Sequence, residues 1–108
     1  MTDSLKKEID TIVQVIIESG MVSKIILFGS LARGDARPNS DIDLCVLTPI
    51  TDRRPRDITV DLRRKLWGVQ RSPLDLLTYR QESFENKSAQ ERSFESIILN
   101  EGVVLYEG

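Results

Sequence analysis

The sixteen residues GSLARGDARPNSDIDL, Gly29 to Leu44, combine a Gly-Ser pair, two arginines and two aspartates one residue apart. Apolar runs flank them, SKIILF ahead and CVLT behind. The run before Gly29 reads as a buried strand over Ser23–Phe28, and DIDLCVLT reads as a second strand over Asp41–Thr48. Between them LAR fits a short helical turn, and GDARPNS is a polar loop broken by Gly, Pro and Asn.

Strand side chains alternate faces, so Asp41 and Asp43 point the same way as Cys45 and Leu47. Ile42, Leu44 and Val46 point the other way. Two carboxylates on one side of an apolar strand repel each other, and desolvation adds to the cost. A divalent cation, an arginine or solvent at a strand end offsets it. Mg²⁺ suits such a pair, because it takes one or two carboxylates together with substrate phosphates. The plainer alternative makes Asp41 a turn residue after Pro38-Asn39-Ser40 and Asp43 an exposed edge residue.

The surrounding residues favour the cation. Gly29 follows a strand and lets backbone approach a ligand closely. Backbone N–H groups and the Ser30 hydroxyl can cradle a phosphate there. The guanidinium of Arg33 has the fork geometry for phosphate oxygens. Asp75 lies inside another apolar run, SPLDLLTY. If that strand borders the Asp41 strand, three carboxylates converge opposite the Gly-Ser turn. Asp75 could then share metal ligation or accept a proton from an attacking hydroxyl. Its alternative is a buried aspartate paired with a cation.

Outward from this centre, Leu5, Ile9, Ile12, Val13, Ile16 and Ile17 recur at helical spacing and predict a helix over Ser4–Ser19. Asp3 or Ser4 is its expected cap, and Gly20 its expected stop. Asp52 and Pro55 open a second helix that continues to Val69. SPLDLLTY predicts a third strand. Ser88 and Glu91 form a capping-box pattern ahead of Phe94, Ile97 and Ile98, in a third helix ending near Gly102. VVLY is a final strand. The alternation gives an α/β or α+β class with one mixed sheet.

A length of 108 residues fits one compact domain, 1–108. The formal charge of −2 gives no reason to expect direct nucleic-acid binding. The chain has no histidine and a single cysteine, Cys45, which excludes Ser-His-Asp triads, His-ligated metals, Cys-cluster metals and an intrachain disulfide. Cys45 reads as a small core residue, and Leu66, Trp67, Phe84, Phe94 and Tyr106 as packing residues. The Arg-rich stretch Arg53–Lys65 is interleaved with Asp57 and Asp61 and reads as a solvated face with local ion pairs. Without a signal-peptide pattern or a membrane-length apolar run, a soluble cytoplasmic protein is expected.

Gly29-Ser30, ten residues, then Asp41-Ile42-Asp43 resembles the signature of the DNA polymerase beta-like nucleotidyltransferase superfamily, in particular its minimal nucleotidyltransferase branch. The resemblance implies a mixed sheet flanked by helices on one side. It implies that Gly29, Ser30 and Arg33 contact the nucleotide triphosphate, that Asp41 and Asp43 hold Mg²⁺, and that Asp75 is the third catalytic and metal-binding carboxylate. The implied reaction moves a nucleoside monophosphate, usually AMP from ATP, onto a hydroxyl. Stand-alone members of this branch pair with a helical HEPN protein, in many cases as antitoxin to its toxin. Some attach AMP to a tyrosine of that partner. Two alternatives remain open from the sequence: transfer to a small molecule such as an antibiotic, and neutralisation of a partner by binding alone.

Overall fold

β1, Lys24–Phe28, forms because KIILF offers three consecutive side chains that are buried on both faces of a sheet. The computed structural model of the chain describes residues 2–35 and 41–108. Pro38-Asn39-Ser40, expected to turn the chain before Asp41, lies outside the described residues. The elements run α1 (Asp3–Glu18), β1, α2 (Gly29–Arg33), β2 (Ile42–Thr48), α3 (Pro55–Lys65), β3 (Leu74–Arg80), α4 (Gln81–Ser88), α5 (Phe94–Glu101) and β4 (Val103–Glu107). The sheet has the order β3-β2-β1-β4. β1 is antiparallel to β2 and β4, and β2 is parallel to β3, with α3 in the crossover between them. The expected mixed sheet is present.

One face carries Ile25, Leu27, Ile42, Leu44, Val46, Leu74 and Leu76 against α1 and α3. Ile12 and Ile16 of α1 and Ile58 and Leu62 of α3 are fully buried there. Burying each such side chain contributes about 1.5–3 kcal/mol. The opposite face carries Ile26, Cys45 and Leu47 against Phe84 of α4 and Ile98 of α5. Helices therefore cover both faces, which corrects the expectation of helices on one side. The second layer is made of two short helices.

Helix starts depart from the sequence reading in instructive ways. Thr2, not Asp3 or Ser4, caps α1: its Oγ1 accepts from the Leu5 amide at 3.1 Å. Pro55 opens α3 as its first residue, where a missing N–H costs nothing. The helix ends at Lys65, and turns carry the chain to Val69. Ser88 is the last residue of α4, an unexpected helix, and does not cap α5. Ser93 does, its hydroxyl accepting from the Ser96 amide at 3.0 Å. Arg92, with φ of 65°, separates the two helices.

Packing expectations held for Leu66, Phe84 and Cys45, which are buried. They failed for Trp67, 88 % exposed, and for Phe94, half exposed although its ring meets Phe28 edge-on at 6.0 Å. On the Arg-rich stretch Arg53 pairs with Asp61 at 2.6 Å, Arg54 with Asp57 at 3.4 Å and Arg64 with Asp61 at 3.9 Å. Among the described residues no helix is long and apolar enough to cross a membrane.

Candidate active site

The site forms where β1 stops and β2 and β3 start. At the end of β1 the chain turns directly into α2, with Gly29 at φ 74°. Leu31 is buried and ties this single turn of helix to the core. Gly34, at φ 81°, closes it, its N–H donating to the Ser30 carbonyl at 3.0 Å. Gly29 has two reasons to be glycine. Its φ lies in the left-handed region, and a Cβ there would collide with Oδ2 of Asp43. The Gly-Ser turn and the Asp43 carboxylate therefore touch.

Asp43 pairs across β1–β2 with Phe28 and across β2–β3 with Asp75. Directly opposed residues of parallel strands project to the same face, so the carboxyls of Asp43 and Asp75 stand side by side. Burial, then the neighbouring Asp75, then the charge of Asp41, push Asp43 up to about 6; Arg33 acts in the opposite sense. Crowding by a second negative group is what holds the Asp43 carboxyl above its ordinary range.

Asp41 immediately precedes β2, is exposed and acts on Asp43 through its charge. The structure thus brings Asp43 and Asp75 into contact and leaves Asp41 at the rim. Among the described residues no group of three His, Cys, Asp or Glu side chains closes on one point in the manner of a complete metal cage. Two carboxylates in contact still match Mg²⁺, whose remaining ligands come from water and phosphate. The hard oxygen donors and the space kept free by Gly29 fit such an ion. Arg33 extends from α2 into solvent, 46 % exposed, and holds Asp35 at 3.3 Å.

The sequence reading gave Gly29 a role toward phosphate and missed its contact with Asp43. No pattern in the chain announces a contact between residues fourteen apart. It also missed the layer behind the site, where the Tyr79 hydroxyl donates to Glu95 at 2.7 Å and Lys87 sits 5.6 Å from the Tyr79 ring centroid. Burial, then the Glu95 bond, raise the Tyr79 hydroxyl well above its usual range. Cys45, two residues along the same face from Asp43, is fully buried, and burial pushes its thiol up to about 12. It is not a nucleophile at neutral pH.

Residues 4–105 match the family model described as a nucleotidyltransferase domain. A chain of Methanocaldococcus jannaschii, assigned by name as a protein adenylyltransferase, is 37 % identical over 87 residues, 81 % of either chain. Among solved structures, one assigned as a nucleotidyltransferase from Sulfolobus solfataricus superposes with a TM-score of 0.66 at 21 % identity, over 94 % of this chain and 78 % of that one. A mutant MntA–HpeT toxin–antitoxin structure gives 0.63 at 23 % identity, over 92 % and 73 %. A toxin–antitoxin structure with AMP-PNP gives 0.61 at 24 %, over 91 % and 73 %. These three likenesses concern the fold.

Proposed function

The chain belongs to the nucleotidyltransferase-domain family, and from that premise we propose that it is a Mg²⁺-dependent protein adenylyltransferase, the antitoxin of a two-protein pair. Its acceptor in this reading is a tyrosine hydroxyl of a helical HEPN partner, and its donor is ATP. The observation that carries the chemistry is the in-register Asp43–Asp75 pair packed behind Gly29. The protein acceptor is supported by the adenylyltransferase name of the 37 % identical relative. The partner is supported by the toxin–antitoxin complexes that share the fold, and ATP by the AMP-PNP in one of them.

Asp43 and Asp75, with Asp41 at the rim, would hold Mg²⁺. Bound there, the ion would supply positive charge for the triphosphate oxygens. Amides at the start of α2 and the Ser30 hydroxyl donate to the triphosphate, and Arg33 closes on it from the rim. Asp75, exposed on its strand, accepts the proton of the incoming tyrosine hydroxyl. The tyrosine oxygen bonds to the α-phosphorus, the bond from that phosphorus to the bridging oxygen breaks, and pyrophosphate leaves with the electron pair.

The test is incubation of the purified chain with ATP labelled at the α-phosphate, Mg²⁺ and the helical protein encoded beside it. Label on a tyrosine of that protein, lost with Asp43→Asn, is the expected result. Label that persists at the wild-type rate in Asp43→Asn overturns the metal assignment. Protection of cells by an Asp41→Ala, Asp43→Ala double variant at wild-type strength overturns catalysis as the basis of antitoxin action.

A further inference from the structure

Trp67 is the chain's one tryptophan and its most exposed large apolar residue among those described, at 88 %. It follows directly on the end of α3, where the last turn holds Arg63, Arg64 and Lys65. An indole left in water forgoes the favourable free energy of burial, and exposed tryptophan and arginine together are the residue types on which interfaces concentrate their energy. Leu66, Gly68 and Gln70 join Arg63 and Trp67 around an open groove of about 570 Å³. Gly68, at φ 84°, turns the chain there, and a second hollow on its far side is bordered by Lys7 and Arg71.

The cations of this patch are poorly neutralised. Among the described residues no carboxylate lies within ion-pair distance of Lys7, Arg63, Lys65 or Arg71. Asp61 is held at 2.6 Å by Arg53 and stands 3.9 Å from Arg64. Glu8 is occupied by the amides of Arg71 and Ser72 and the Ser72 hydroxyl. The patch is also tied to the site. Arg63 donates to the Leu74 carbonyl at 3.2 Å, and Leu74 is the residue before Asp75.

We propose that the groove beside Trp67 docks an acidic segment of the acceptor protein. An apolar side chain of that segment covers the indole, and its carboxylates meet Arg63 in the groove and Arg71 on the other side of Gly68. The inference rests on the transfer reading above, because the docked protein is the one that offers its hydroxyl to Asp75. Charge selects a short acidic segment over RNA. The whole chain carries a formal charge of −2, so a polyanion extending beyond the patch meets repulsion, whereas a short segment needs only the patch.

Trp67 reports its own burial, since no other indole contributes to the fluorescence. The full chain is titrated at low salt with a short Asp/Glu-rich peptide bearing one leucine and one phenylalanine, and in parallel with a single-stranded RNA oligomer. The acidic peptide gives a saturable blue shift, weakened about tenfold by physiological salt. Arg63→Glu combined with Arg71→Glu weakens it at least about tenfold further. An emission spectrum unmoved by the peptide, or tighter binding of the RNA, overturns the proposal. Asp43→Asn separates the two readings, because it titrates like the wild type while losing transfer. Peptide binding by a wild-type chain that transfers no AMP to the helical partner protein sinks the enzymatic reading alone. Transfer by Trp67→Ala with an unchanged KM for the protein acceptor sinks the docking reading alone.

Discussion

Asp75 stands directly opposite Asp43 in the parallel register of β2 and β3, and its carboxyl raises that of Asp43. That proximity raises Asp43 above its ordinary range and leaves like charges for a cation to relieve. It makes the site a place where metal and proton compete.

Stability should therefore depend on pH in an unusual direction for an aspartate. Asp43 titrates at about 6 in the folded chain, above its ordinary 3.8. Between those values the folded state keeps a proton that the unfolded state has released, so stability falls as pH rises through the window. The contribution is fully present below the lower value and gone above the upper one. Melting temperatures of metal-free wild type and Asp43→Asn, compared from pH 4 to 8, should show the variant gaining on the wild type between about pH 4 and 6, with the gap constant above that. Parallel curves would rule out the raised Asp43 carboxyl.

Mg²⁺ should reverse that order. A cation that relieves the repulsion between the two ionised carboxylates stabilises the wild type at pH 7 and leaves Asp43→Asn nearly unaffected. Differential scanning fluorimetry with and without Mg²⁺ checks it, and so does the loss of transfer when the metal is chelated. The expected fall in turnover for Asp43→Asn is at least about a hundredfold.

Gly29→Ala should damage fold and site together. The substitution meets a left-handed φ of 74° and a clash with Oδ2 of Asp43. We expect a loss of about 1 kcal/mol or more from the backbone alone, with weakened ATP binding. Gly34→Ala, at φ 81° with open space around it, carries the backbone cost without the clash. Calorimetric titration of both variants with ATP should find weakened binding only for Gly29→Ala.

Cys45 should be silent toward thiol reagents in the folded chain. It has no exposed surface, and burial holds its thiol near 12. Labelling by a maleimide at pH 7 should track global unfolding, which a urea series reads directly. Rapid modification of the native chain would contradict the packing of this face.

Much of the site was legible because strands have a period of two. The period of two gave Asp43 its face, and the apolar run around Asp75 offered a strand that could lie beside it, although neither its direction nor its register was legible. The metal-ligand geometry was less legible, since Asp41 sits just outside β2 and its position depends on residues ahead of the strand. α4 escaped notice because QESFENKS buries a single large side chain, Phe84, and one apolar residue has no period. The α5 start was misplaced because Ser88 and Ser93 both precede an acidic residue, and the left-handed Arg92 decides between them. Trp67 was misread because Leu66 beside it is buried. Past the end of α3, adjacent side chains diverge, one inward and one out.

β3 is the border strand of the sheet. Residue 75 thus has a protein wall on the β2 side and open approach beyond. A carboxylate sealed in a chamber serves only reactants small enough to diffuse in. On a rim, a second folded body can present one protruding side chain without either partner unfolding. The ceiling on reactant size is then set by steric approach from outside rather than by any internal volume.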